Sequence, residues 1–326
     1  MTERGMRVFT SERMTEIMAW LEARLAKTAA GGTVAFEVLD PDLGGSAYAG
    51  TPVTVGGVVY LYRGYKAWTD LAELLFCRML TPTRGEGGRI CLRFMKLDQE
   101  VSFHRDEGED KTEKYGAASA FAMIRKDEEP AFLWAHWHAL RRVEIAERKR
   151  VLNLGINTAD EFELIRTVAG EAFAAMELVG IDHSASAIAV ARERFPEPNV
   201  SFYVQDINTI DALGLGRFDL IVSIGTLQSP GIDFKPLFMS LVQKHLAPGG
   251  AVILGFPNAR WTDGEMLYGA KAPNYPFSEQ SLLFKDVHFC KKYLQQKKFR
   301  VTLTGKPYLF LSATAIGAGQ AGRQAE

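Results

Sequence analysis

The sequence has little of what would assign a class at once. Three of its 326 residues are cysteine, Cys77, Cys91 and Cys290, and no two form a C-x-x-C pair. Neither a zinc knuckle nor a disulfide framework is indicated, and reduced, buried thiols in a cytoplasmic protein are the expectation. The formal net charge is −1, so no overall field draws the chain to DNA or to an anionic membrane. No apolar run reaches the about 18–20 residues that a bilayer-spanning helix needs. The first residues carry Glu3, Arg4 and Arg7 without a long apolar stretch behind them, which argues against a signal peptide. His136 and His138 stand two apart on an expected helix and do not share a face, so no metal site is expected.

What is present is an ordinary globular composition, 47% hydrophobic and 24% charged, with a length that favours two domains. Met14, Ile17, Met18, Leu21 and Leu25 recur at helical spacing. Strands are expected over Thr33–Asp40, Gly56–Tyr65 and Arg89–Leu97. Between the last two, Ala67–Leu80 reads as a helix with Leu71, Leu74, Leu75 and Met79 on one face. The first hundred residues are therefore mixed α+β. Residues Arg105–Gly116 hold eight charges in twelve positions and cannot build a core. They set the expected division, an N-terminal α+β domain over 1–115 and a second domain over 116–326.

From Val151 strand-like and helical runs alternate, the pattern of a parallel sheet with helices on both faces. The end departs from it. "RVTLTG" and "YLFLSATAIG" are two strands joined by a short turn, which makes an antiparallel hairpin. The expected fold is α/β: a Rossmann-like, doubly wound, mostly parallel sheet finishing in an antiparallel hairpin. Ligands in such sheets sit beyond the carboxyl ends of the strands. Gly155 ends the first strand, Asp182 the second and Asp206 the third. Ser223–Thr226 closes the fourth, and Leu246–Phe256 introduces the fifth.

The pieces "VLNLGINTAD", "LVGIDHSASAIAVARERF", "VSFYVQD", "FDLIVSIGTLQ" and "LVQKHLAPGGAVILGF" come in this order over about Arg150–Gly317. Together they resemble the class I S-adenosylmethionine-dependent methyltransferases. The resemblance implies an enzyme with S-adenosyl-L-methionine as cofactor. It implies that Asp182 accepts from the ribose hydroxyls, that Asp206 and Ile207 meet the adenine, and that His183 lines the adenosine edge. It implies that Ser223 and Gly225 border the methionine moiety. The first loop is unusual. Asn153 stands where the family carries an acid, and Asn157 and Ala159 stand where it carries glycines. Asparagine tolerates a left-handed backbone best among non-glycine residues, so Asn157 can keep the turn, and Asn153 keeps hydrogen-bonding capacity; the resemblance implies Asn153, Gly155 and Asn157 as cofactor contacts. Asp160, Glu161 and Glu163 suit the dipole at the helix start, but would repel a ligand carboxylate unless turned outward. The interval from Gly155 to Asp182 is long for this family, and a helix longer by one to two turns is expected there. A nicotinamide dinucleotide reading fails at two of three glycine positions.

The acceptor is not legible. Thr226 and Gln228 are the candidate polar groups near the transferred methyl. The connection Phe256–Ser281 is long enough to be a binding loop and holds Trp261, Tyr268, Lys271 and Tyr275. These aromatics and cations fit stacking on a planar anion, lining a small-molecule pocket, or pinning the loop to the sheet. Arg63, Lys66, Arg93 and Lys96 lie among aromatics in the N-terminal part. They leave open a tRNA- or rRNA-modifying enzyme whose first domain holds RNA, beside a small-molecule methyltransferase and a non-catalytic regulatory or scaffold protein of the same fold.

Overall fold

Alternation along Thr33–Leu39 buries Val34, Phe36 and Val38 on one face of a strand, and the 3.6-residue period of Met14–Leu25 buries Ile17, Leu21 and Leu25 against them. These elements belong to a computed structural model that describes residues 6–101, 113, 115–269 and 280–317. The chain divides into two units, Met1–Arg105 with Trp261–Leu267, and Asp106–Arg260 with Tyr268–Glu326.

The first unit contains β1 (Arg7–Val8), α1 (Met14–Leu25), β2 (Thr33–Leu39), β3 (Pro52–Val55), β4 (Val58–Leu61), α2 (Tyr65–Leu74), β5 (Cys77–Met79), β6 (Thr83–Arg84) and β7 (Arg89–Lys96). Its sheet runs β1-β2-β7-β5, with β6 also on β7. The helix expected over Ala67–Leu80 stops at Leu74. Phe76 takes φ 55, and Cys77–Met79 turns back to pair antiparallel with β7. The open edge of β7 supplies hydrogen bonds that a longer helix could not use. Trp261–Leu267 is held in this unit by Arg78, which pairs with Glu265 and donates to the Asp263 carbonyl at 2.8 Å. The Asp98 amide donates to the Asp263 carboxylate at 3.1 Å.

The second unit contains α3 (Pro130–Arg142), β8 (Arg150–Leu154), α4 (Asp160–Ala169), β9 (Glu177–Asp182), α5 (Ala185–Arg194), β10 (Val200–Val204), β11 (Phe218–Ile224), α6 (Phe234–Ser240) and β12 (Leu246–Pro257). After β13 (Ala259–Thr262) and β14 (Glu265–Tyr268) come α7 (Ser281–Gln296), β15 (Phe299–Thr304) and β16 (Tyr308–Ala315). The sheet order is β10-β9-β8-β11-β12-β16-β15. The first five are parallel, and β16 is antiparallel to both its neighbours. This is the Rossmann-like arrangement with an antiparallel end. One face packs Leu152, Leu154, Ile221 and Leu254 against Phe238, Val287 and Leu294. On the other, α3 crosses β16, with His136 stacked on Phe310 and Arg142 donating to Ser312.

The helix after the first loop is not longer. Gly170 breaks it at φ 58, and the extra residues form a separate 3₁₀ turn, Gly170–Ala175. Among the described residues, no helix is long and apolar enough to cross a membrane.

Candidate functional site

β8 ends at Leu154 and the chain turns at once. Gly155 has φ 73, and a Cβ there would lie 2.0 Å from the Thr226 hydroxyl, so no side chain fits. The amides of Gly155 and Ile156 donate to the Ile181 carbonyl at 2.8 and 3.1 Å, drawing the loop over the end of β9. Asn157 takes φ 49, the left-handed backbone its place calls for. Its own amide group fixes the turn: Oδ1 accepts from the Thr158 amide at 2.9 Å, and Nδ2 donates to the Tyr115 carbonyl at 2.6 Å. Ala159 is also left-handed, at φ 71, and fully buried. An alanine there costs about 1–2 kcal/mol that a glycine would not.

Asp182 closes β9 and is buried. Its Oδ2 accepts from the Asn157 amide and its Oδ1 from the Ser184 amide, both at 2.9 Å. It does not cap α5; the Ser184 hydroxyl does, accepting from the Ala187 amide. Two backbone amides thus fix the carboxylate, and each oxygen keeps one accepting lone pair. His183 is exposed, its Nδ1 3.7 Å from Asp182. On the neighbouring strand end, Asp206 caps the short turn Ile207–Leu213 through the Asn208 amide, and Ile207 is buried.

Gly225 closes β11 at φ 76, facing Pro257 and Tyr308. Ser223 lies within the sheet and donates to the Leu154 carbonyl at 3.4 Å. Asn153 is fully buried, and neither atom of its amide group has a partner among the described residues. The structure therefore gathers Gly155, Asn157, Asp182, Gly225 and Thr226 at the carboxyl ends of the central strands. His183 follows at the end of β9, and Asp206 with Ile207 at the end of β10. Gln228 lines a separate cavity with Asp233, Lys235 and Phe289. Tyr268 lies beneath Lys306, 4.7 Å away. Trp261 belongs to the first unit. Lys271 and Tyr275 lie outside the described residues.

Sequence reasoning missed a cavity of about 340 Å³ beside the first loop, whose walls include Lys126, His136, Asn157, Asp160, Glu161 and Arg194. Glu161 is not turned outward; it is only 7% exposed. Burial, with Asp160 and Asp182 nearby, raises its pKa to about 7 against the opposing pull of Lys126. Burial also opposes the charge on Lys126, but Tyr308, Glu161, Asp160 and Asp127 outweigh it and hold the ammonium above the ordinary lysine range. His136 is 1% exposed, its Nε2 has no partner, and burial followed by Lys126 pushes its pKa down to about 3. The residues come from three stretches of chain, 117–136, 156–164 and 190–194, so only the inward acid at the start of α4 could have been flagged.

The four N-terminal cations are all engaged. Arg63, 6% exposed, donates to the Glu12 carbonyl at 2.6 Å and the Leu61 carbonyl at 3.2 Å. Lys96 donates to the carbonyls of Leu25 and Thr28, both at 2.9 Å. Lys66 pairs with Asp70, and Arg93 donates to the Thr81 carbonyl. Among the described residues, no group of three or more His, Cys, Asp or Glu side chains is placed to hold a metal.

A parallel sheet with an antiparallel end, a glycine turn after its first central strand and a buried carboxylate after the next define a class I S-adenosylmethionine-dependent methyltransferase domain. Residues 145–300 match the family model for a methyltransferase domain. Two curated relatives are trans-aconitate 2-methyltransferases. The one from Delftia acidovorans is 32% identical over 122 residues, 37% of this chain and 42% of that protein. The one from Variovorax paradoxus is 32% identical over 140 residues, 43% of this chain and 51% of that protein. The match thus spans about half the length of these relatives. A solved S-adenosylmethionine-dependent methyltransferase from Mesorhizobium loti is 17% identical with a TM-score of 0.38, over 55% of this chain and 97% of that one.

Proposed function

We propose that this chain is a small-molecule methyltransferase that holds S-adenosylmethionine at the carboxyl ends of β8, β9 and β10. The observation that carries the reading is the Asp182 carboxylate, held by two backbone amides with one lone pair free on each oxygen. Two free acceptors suit the two ribose hydroxyls. Gly155 lets Thr226 pack directly against the first loop, and Asp206 with Ile207 stands at the adenine end. The cofactor, when bound, supplies an electrophilic methyl group on a sulfonium. The chain's part is to fix the nucleophile in line with that methyl, which supplies much of the catalysis without a dedicated base. The relatives named above act on a small molecule, and the engaged N-terminal cations offer phosphates little to contact.

Calorimetric titration with S-adenosylmethionine tests this. Micromolar binding is expected, and Asp182→Ala should weaken it by roughly 1.5–3 kcal/mol for the lost charged acceptor. Unchanged affinity in the variant would remove Asp182 from the site, and no binding by the unmodified protein would remove the enzyme reading.

A further inference from the structure

The cavity beside the first loop has an uneven set of charges. Three cations line it, Arg125, Lys126 and Arg194, with three acids, Asp127, Asp160 and Glu161. Four of these six satisfy one another. Arg125 forks onto Asp127 at 2.8 and 3.2 Å, and Arg194 bonds Asp160 at 2.6 Å. What remains is Lys126, Glu161 and the unpartnered His136 Nε2. Lys126 forms no hydrogen bond among the described residues; its ammonium lies 5.5 Å from the Phe121 ring centre and 5.9 Å from that of Phe132. Phe121, Phe132, Ile124 and Leu164 supply apolar walls. Lys126 is partly buried and kept charged by the acids around it, with no hydrogen-bond acceptor among the described residues, and the buried His136 Nε2, left without a partner among them, is costly. Both are explained by a ligand that brings acceptor oxygens, and a volume of about 340 Å³ is that of a small-molecule pocket.

We propose that this cavity is the acceptor pocket and takes a small organic acid with an apolar body, its carboxylate on Lys126 and its entry coupled to protonation of Glu161. The proposal rests on the methyltransferase reading and gives it a substrate class. The incoming negative charge would lie beside Glu161, which already faces Asp160 on α4 and Asp182 on β9 and has Lys126 as an opposing charge. Asp127 and Tyr308 also face Lys126, while Arg125 and Arg194 are spent on their own partners. Glu161 therefore takes up a proton as the acid binds, and its O–H can then donate to the ligand. Linkage makes acid binding tighter at low pH.

The test is calorimetry on the full chain with phenylacetate, 3-phenylpropionate and hexanoate, each beside its primary amide, with and without saturating S-adenosylhomocysteine. At least one acid should bind at least tenfold more tightly than its amide, and about tenfold more tightly at pH 6 than at pH 8. Lys126→Met should lose at least tenfold for the acid and keep its affinity for S-adenosylhomocysteine, which also reports a folded site. Glu161→Gln should bind the acid with a flat pH profile. Amides that bind as well as acids, a flat profile in the unmodified protein, or no acid bound while S-adenosylhomocysteine binds would each overturn the proposal. So would a Lys126→Met variant that loses both ligands together, because the cavity would then hold the methionine end of the cofactor. Failure to bind S-adenosylhomocysteine alone would remove the cofactor reading and leave the acid test standing.

Discussion

Arg63 in the first unit is buried and Lys126 in the second is half-buried, and their surroundings differ. Arg63 is directed onto two main-chain carbonyls and lies over Trp68. Lys126 has aromatic faces and, among the described residues, no hydrogen-bond acceptor, with Glu161, Asp160 and Asp127 acting on it through their charges. A cation satisfied by its own chain holds that chain together. One left without a hydrogen-bond acceptor in a cavity marks a place where something else can bind. The first unit puts its buried charge into architecture, and the second keeps some in reserve.

Three substitutions break or sharpen that contrast. Arg63→Met should cost the most, about 3 kcal/mol in a denaturant melt, because two buried carbonyls lose charge-assisted partners. Glu161 comes next. Its folded pKa is raised, so its stabilising contribution is fully present below the unfolded carboxylate range and is lost as pH rises through about 7. Glu161→Gln should therefore gain on the unmodified protein between pH 5 and 8 by roughly 2 kcal/mol, and parallel curves of melting temperature against pH would refute the inward acid. Lys126→Met, measured at pH 6 where Glu161 can hold its proton, should change stability by less than about 1 kcal/mol. A loss equal to that of Arg63→Met would erase the distinction between the two cations. Separately, Ala159→Gly should stabilise by roughly 1 kcal/mol by relieving a left-handed alanine, an effect partly offset by the freedom glycine has in the unfolded chain.

The sheet and the strand ends that form the candidate site were legible because both are written locally. Apolar runs marked β8, β9, β11 and β12, and Gly155 and Asp182 fall at strand ends that a parallel sheet brings side by side. Asn157 could be read as left-handed because its short amide bonds its own turn, and it does. Ala159 could not, since nothing in an alanine signals φ 71; the fold imposes it. The Cys77–Met79 strand was hidden because Phe76 reverses a run whose spacing looks helical and whose partner, β7, comes later. The acceptor cavity was hidden for a related reason. Lys126, His136, Glu161 and Arg194 have no common spacing, and only the folded sheet gathers them. Glu161 was read for its helix dipole, an effect of position alone, when its burial decides its chemistry.

Trp261–Leu267 lies about 160 residues beyond Arg105 in the chain and yet belongs to the first unit. During synthesis the first unit therefore waits, with Arg78 and the Asp98 amide lacking their final partners, until β13 and β14 have left the ribosome. A gene fragment ending near Arg105 would encode an unfinished object. Expressing the first unit alone calls for supplying that seven-residue piece, either as a separate peptide or spliced onto the shortened chain.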